Sequence, residues 1–339
     1  MKHWLGVGAV AAAILAAMAA RPEAQAPGAT ARAQTTTRTA TAKPYVPPRT
    51  PWGDPDIQGG WTNVNENGIP MEKPNALDAQ SLDDIEDAEL ADLIRERNER
   101  AAASAAGIGG RETGAGPTHW YEHYDAKNSR AWMVSDPADG RIPPLTPEAQ
   151  KRQAGGRGGR AGGEGGRADS WLDRSLHDRC ITRGYPGSMS PAIYGNAYDI
   201  TQAPGLVAIR YEMIHETRII PLDNTPRPNL NPYMGVARGR WEGDTLVVES
   251  TNFHERTRFR NGSAKLRLVE RFKPVAADTI EWSLTVIDPD TWTRPWTYGM
   301  QLTQDPEQTL FEYACHEGNY AMRNILSAAR AEEAAAAQK

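Results

Sequence analysis

The 339-residue sequence predicts a mainly β protein: an antiparallel eight-stranded barrel with an extended and helical N-terminal region and a C-terminal helix. Three observations predict it. Gly (31) and Pro (25) fill roughly one position in six while only 39% of residues are hydrophobic, which suits loop-rich β structure better than a helical bundle. Trp (10) and Tyr (11) far outnumber Phe (4), so the favoured rings carry a polar handle. From Ala197 onward, short runs with period-two alternation recur between turn residues. A two-sheet β-sandwich satisfies the same pattern, because one chain's alternation does not record closure.

The first element is a leader. Lys2 and His3 precede the apolar stretch Trp4–Ala20, and small residues follow, so residues 1–33 read as a secretory signal peptide. Its Ala-rich core is short for a permanent anchor, and no later stretch is apolar enough to span a bilayer. The expected address is the periplasm or the exterior. Residues 34–50, rich in Thr, Arg, Pro and Ala, read as a disordered tether. Residues 51–179 form the extended and helical region. There Ser81 and Asp84 fit a capping box ahead of the apolar stripe Leu82, Ile85, Leu90, Leu93 and Ile94. Acids crowd the start of that helix and Arg95, Arg97 and Arg100 its end, as the helix dipole prefers. Gly-rich loops occupy 101–116 and 154–168. The second is built from Gly-Gly-Arg units, but the net charge of −5 with mixed signs argues against a nucleic-acid partner.

Residues 180–339 form the barrel domain. Its runs are Ala197–Ala203, Leu206–His215, Thr217–Leu222, Thr245–Ser250, Lys265–Lys273, Thr279–Ile287, Trp296–Thr303 and Leu310–Cys315. Pro204-Gly205, Glu242-Gly243-Asp244 and Ala276-Ala277-Asp278 mark the tighter turns. Eight consecutive antiparallel runs make a meander that closes as in lipocalin-like architectures. Gly318–Ala337 then reads as a helix with Met322, Ile325, Leu326 and Ala329 on one side.

Strand parity locates the candidate chemistry. Val207, Ile209, Tyr211, Met213 and His215 share one face; Leu266, Leu268, Glu270 and Phe272 share another. A carboxyl and an imidazole in one apolar interior supply the parts for acid–base catalysis, with His215 as base, Glu270 as acid or orienting carboxylate and Tyr211 as hydrogen-bond donor. The competing reading pairs a buried Glu270 with Arg218 or Arg238 and leaves His215 in solvent at the strand end. Arg218, Trp282, Tyr298 and His316 are expected around the ligand, and Trp292 and Trp296 form an aromatic platform. Cys180 and Cys315 are the only cysteines, and in an oxidising compartment they are expected to form a disulfide. His119-Trp120-Tyr121-Glu122-His123 matches the H-x-x-E-H zinc pattern but lacks the long amphipathic helix that such a site needs. No metal or other cofactor is expected.

The segments Arg238-Gly239-Arg240-Trp241-Glu242-Gly243-Asp244-Thr245-Leu246, Asp288-Pro289-Asp290-Thr291-Trp292 and Cys315-His316-Glu317-Gly318-Asn319 resemble a group of exported bacterial proteins of unassigned function. The likeness extends over most of the chain after about Pro47 and implies export but no activity. The leading expectation is an exported barrel that binds a small, partly apolar organic molecule and acts on it as a lyase, isomerase or hydratase. Against it stand a pure binding module with the same pocket and an envelope or glycan interaction protein that uses its Trp-rich loops.

Overall fold

Period-two alternation carries directly into strands. The computed structural model describes residues 45–108, 125–155, 168–223, 226–304 and 310–338, all within the compact unit Thr41–Lys339. In chain order the elements are β1 (Gly59–Thr62), α1 (Asp87–Ile108), β2 (Val134–Asp136), α2 (Pro147–Gly155), β3 (Ala197–Ala203) and β4 (Leu206–Tyr211). They continue as β5 (Thr217–Pro221), β6 (Val236–Glu242), β7 (Thr245–Thr251), β8 (Arg267–Ala276), β9 (Thr279–Ile287), β10 (Trp296–Thr303) and α3 (Ala321–Ala337). Among the described residues, ten strands make one antiparallel sheet in the order β5-β4-β3-β1-β10-β9-β8-β7-β6, with β2 added on β10.

This corrects the eight-stranded barrel. The ladder is open between β5 and β6, although these edges lie alongside each other. Gly239 makes the approach feasible: a Cβ there would stand 2.6 Å from Leu222 and 2.8 Å from Ile220, closer than side chains pack. The N-terminal region also contributes to the sheet. β1, with Trp61, inserts between β3 and β10, pairing Trp61 with Tyr198 and Thr62 with Thr303. Leu310–Cys315 forms no strand and follows β10 as irregular chain.

Burial follows the expected parity on β4, β8, β9 and β10. Val207, Ile209 and Tyr211 are buried, as are Leu268, Glu270 and Phe272; Ile280, Trp282, Leu284 and Val286; and Trp296, Tyr298, Met300 and Leu302. A smaller cluster of Leu77, Ala131 and Trp132 receives Leu82, Ile85, Leu90 and Leu93, the apolar stripe expected after Ser81. The Ser81–Asp84 capping box closes a short 3-10 turn, and α1 begins only at Asp87. In α3 the half-buried side is Met322, Ile325, Leu326 and Ala329, as the stripe requires.

Cys180 and Cys315 form a disulfide with a Cα–Cα distance of 5.6 Å. No helix among the described residues is long and apolar enough to cross a membrane. Residues 101–108, expected in a Gly-rich loop, continue α1, so Arg95, Arg97 and Arg100 lie within the helix and not at its end. The signal peptide, most of the tether, residues 109–116, most of the 154–168 loop and the His119–His123 motif lie outside the described residues.

Candidate functional site

Because Glu270 alternates with Leu268 and Phe272, its carboxylate is carried to the inner face of the sheet, where it is fully buried. A carboxylate taken out of water costs several kcal/mol unless it is paired and hydrogen-bonded. Three residues from separate elements meet that demand. Arg218 on β5 pairs with Oε2. Tyr185 donates its hydroxyl to Oε1, and Trp282 on β9 donates its indole N–H to the same oxygen at 3.2 Å. Arg218 also donates to Ser250 on β7 at 2.6 Å and stacks over the Tyr185 ring at 3.9 Å. Residues of β5, β7, β8 and β9 therefore meet, so the sheet curls round this knot.

Burial, together with the neighbouring Glu270 charge, pushes the Tyr185 hydroxyl well above the ordinary phenol range. It stays protonated, as a donor must. Burial likewise raises Tyr211 and Tyr298. Tyr211 sits beside Arg218, packs edge-on against Tyr198 at 5.7 Å, and makes no well-formed hydrogen bond through its hydroxyl. All three phenols are held protonated and do not serve as bases, and Tyr185 donates to the buried carboxylate.

His215 does not join this group. β4 ends at Tyr211, and the chain turns through Met213–His215 with positive φ at Ile214 (61°) and His215 (45°). Strand parity therefore stops four residues short, and the His215 side chain emerges at the surface. Its Nδ1 lies 3.2 Å from the Tyr313 carbonyl oxygen. The proposed base and acid are not brought together, and the competing Arg218 pairing is the one observed. His316 is exposed on the turn after Cys315. Trp292 and Trp296 are core residues rather than a surface platform. Trp292 meets Trp296 edge-on at 5.8 Å, Trp296 stacks on Tyr298 at 5.5 Å, and Tyr298 meets Trp282 edge-on at 5.6 Å.

The end of this aromatic series opens on a cleft of about 230 Å³. Trp282 and Tyr298 line it with Met71, Met133, Met189 and Met300, while Glu66, Asn67 and Ser190 supply polar groups. Typical drug-sized sites run from about 300 to 1,000 Å³, so this one suits a smaller molecule. Thioether side chains adapt to irregular ligands, which widens what such a wall accepts. Met300 follows strand parity on β10, whereas Met71, Met133, Met189 and Tyr185 were invisible to it because they come from connecting segments that carry no periodic signal.

Glu66 sits in the cleft wall, almost wholly buried. Its carboxylate accepts from the Ser129 backbone N–H at 2.9 Å and from the Gln301 N–H at 3.2 Å. Burial nevertheless dominates and holds the carboxyl above its ordinary 4.5, against the lowering pull of Ser129, Gln301 and Arg130. The folded protein thus keeps a proton that the unfolded chain gives up first. This group's stabilisation is complete below about pH 4.5 and is lost as pH rises through the folded value, by at most about 1.4 kcal/mol per unit. Thermal unfolding across this range should show a decline with rising pH that Glu66→Gln flattens; an equally steep decline in the variant would assign it elsewhere.

No family model, curated protein or solved structure matches this chain.

Proposed function

We propose that this is an exported protein, periplasmic or secreted, that binds a small, partly apolar organic molecule in the methionine-and-aromatic cleft. One observation carries the reading: Trp282 and Tyr298 line a single opening with four methionine side chains. Apolar walls with a few convergent polar groups are the usual make-up of small-molecule sites. The basic, apolar leader and the Cys180–Cys315 bridge support export, since disulfides persist in oxidising compartments.

Binding is favoured over acid–base turnover. Glu270 is held by Arg218, Tyr185 and Trp282, and His215 lies at the surface beside Tyr313. The uncharged fluorophore N-phenyl-1-naphthylamine tests the cleft directly. Its emission should rise saturably on mixing with the protein. Met71→Trp, which fills the cleft from a half-buried position, should weaken that binding by about tenfold or more while leaving the thermal midpoint unchanged or higher. Equal affinity in both proteins would overturn the assignment.

A further inference from the structure

A second cleft, of about 420 Å³, has Tyr185 of the Glu270 knot in its wall, together with Arg174, Arg183, Arg256, Arg258, Arg260 and His177. Among the described residues no carboxylate lines it. Two acids that touch lining residues are already engaged: Asp178 pairs with Arg174 at 3.1 Å, and Glu216 accepts from the Thr182 hydroxyl at 2.6 Å. In a chain of net charge −5, such an accumulation of one sign is local, not a general property of the surface. Arg174 is neutralised by Asp178, but the other guanidinium groups held together here repel one another, and this arrangement persists most readily around an anion.

The arginines are positioned individually. Arg256, Arg258 and Arg260 alternate along Arg256-Thr257-Arg258-Phe259-Arg260, in the connection between β7 and β8. Arg256 is tied to the Leu172 carbonyl at 2.6 Å, and Arg260 lies over the Phe259 ring at 5.7 Å. Arg174 is 93% buried, and its Nε has no hydrogen-bond partner; Nη1 of Arg183 and Nε of Arg258 are likewise buried and unpartnered. Buried donors are normally satisfied, so orphans on several residues of one cleft point to a missing acceptor. Guanidinium forks suit oxyanions because they donate two parallel hydrogen bonds.

We propose that this cleft binds a compact organic anion carrying two or more oxyanion charges, phosphoryl or carboxyl. The site is separate from the methionine cleft and does not depend on it. Calorimetry with pyrophosphate, citrate and acetate tests it at about 20 mM salt, where screening is weak. Pyrophosphate or citrate should bind once per chain, at least about tenfold more tightly than acetate, and raised salt should weaken the binding. The double variant Arg258→Gln/Arg260→Gln should lose about tenfold or more in affinity, yet keep N-phenyl-1-naphthylamine binding and the thermal midpoint. Arg256→Gln, at an exposed position, provides a milder variant expected to weaken binding in the same direction. The proposal fails if neither multivalent anion binds, or if binding is indifferent to these arginines (an adventitious ion only). It also fails if phosphatidic acid vesicles capture the protein while the free anions do not, since the arginines would then serve a membrane surface.

Discussion

Glu270→Gln should destabilise the fold by about 3–5 kcal/mol, the largest effect expected of any single substitution of a polar residue in this protein. The carboxylate is fully buried and the Arg218 side chain is 2% exposed, so water cannot take over when the charge is removed. Gln leaves a guanidinium buried without its counter-charge and gives Tyr185 and Trp282 a weaker acceptor. Arg218→Met should cost a similar amount for the opposite reason, because it strands the carboxylate. Arg218→Met/Glu270→Leu then distinguishes a true ion pair from two independent packing sites. The combined loss should fall well short of the sum of the single losses, since neither charge remains to be stranded. It will not vanish, because Tyr185 and Trp282 keep buried donors without an acceptor, at about 1–3 kcal/mol each. Urea unfolding of the four proteins measures this cycle, and additive losses would refute the coupling.

Removing the disulfide should give the largest effect outside the Arg218–Glu270 pair, and it should be uneven. The bridge closes a loop across a sequence separation of 135, for which the chain-entropy model sets a ceiling of about 5 kcal/mol. The realised loss is expected to be smaller, about 2–4 kcal/mol. After β10 the chain contributes little to the core: α3 has no fully buried residue, and Tyr313 makes a ring contact with Tyr194 at 6.2 Å. Asn319 donates to the Cys180 sulfur at 3.1 Å, so its anchor belongs to the bridge itself. In Cys180→Ala/Cys315→Ala the tail can loosen while the sheet remains, and that freedom in the folded state offsets part of the entropy gained on unfolding. Hydrogen exchange should accelerate in residues 310–338 and change little on the inner strands β8, β9 and β10. Uniform acceleration across the sheet would show that the bridge supports the core instead.

Much of the site was legible from alternation. Trp282, Tyr298, Glu270 and Tyr211 are buried on the strands and faces that period two assigns them. Alternation failed where a strand ended earlier than its composition suggested. Nothing in Met213-Ile214-His215 forbids an extended backbone, and the turn there reflects the route to β5. The Arg218 pairing was one of two readings open at the sequence level, because parity reports a face and never a partner. Arg256-Thr257-Arg258-Phe259-Arg260 was not singled out by the sequence, because its arginines gain meaning only when Arg174 and Arg183 arrive from another segment.

By itself, the sequence determined seven of the ten described strands, the inward faces of β4, β8, β9 and β10, the apolar stripes of α1 and α3, and the cysteine pair, because each follows from local periodicity or from there being a single pairing to make. β1, β2 and β6 carried too little alternation to be read, and Leu310–Cys315 carried it without forming a strand. Tertiary structure alone decided the rest. It inserted Trp61's strand between β3 and β10, left the ladder open at β5 and β6, matched Glu270 to Arg218 and gathered two clefts of different chemistry. Those outcomes depend on which distant segments meet, and meeting is settled by burying charge and apolar surface together, a condition that short-range spacing does not encode.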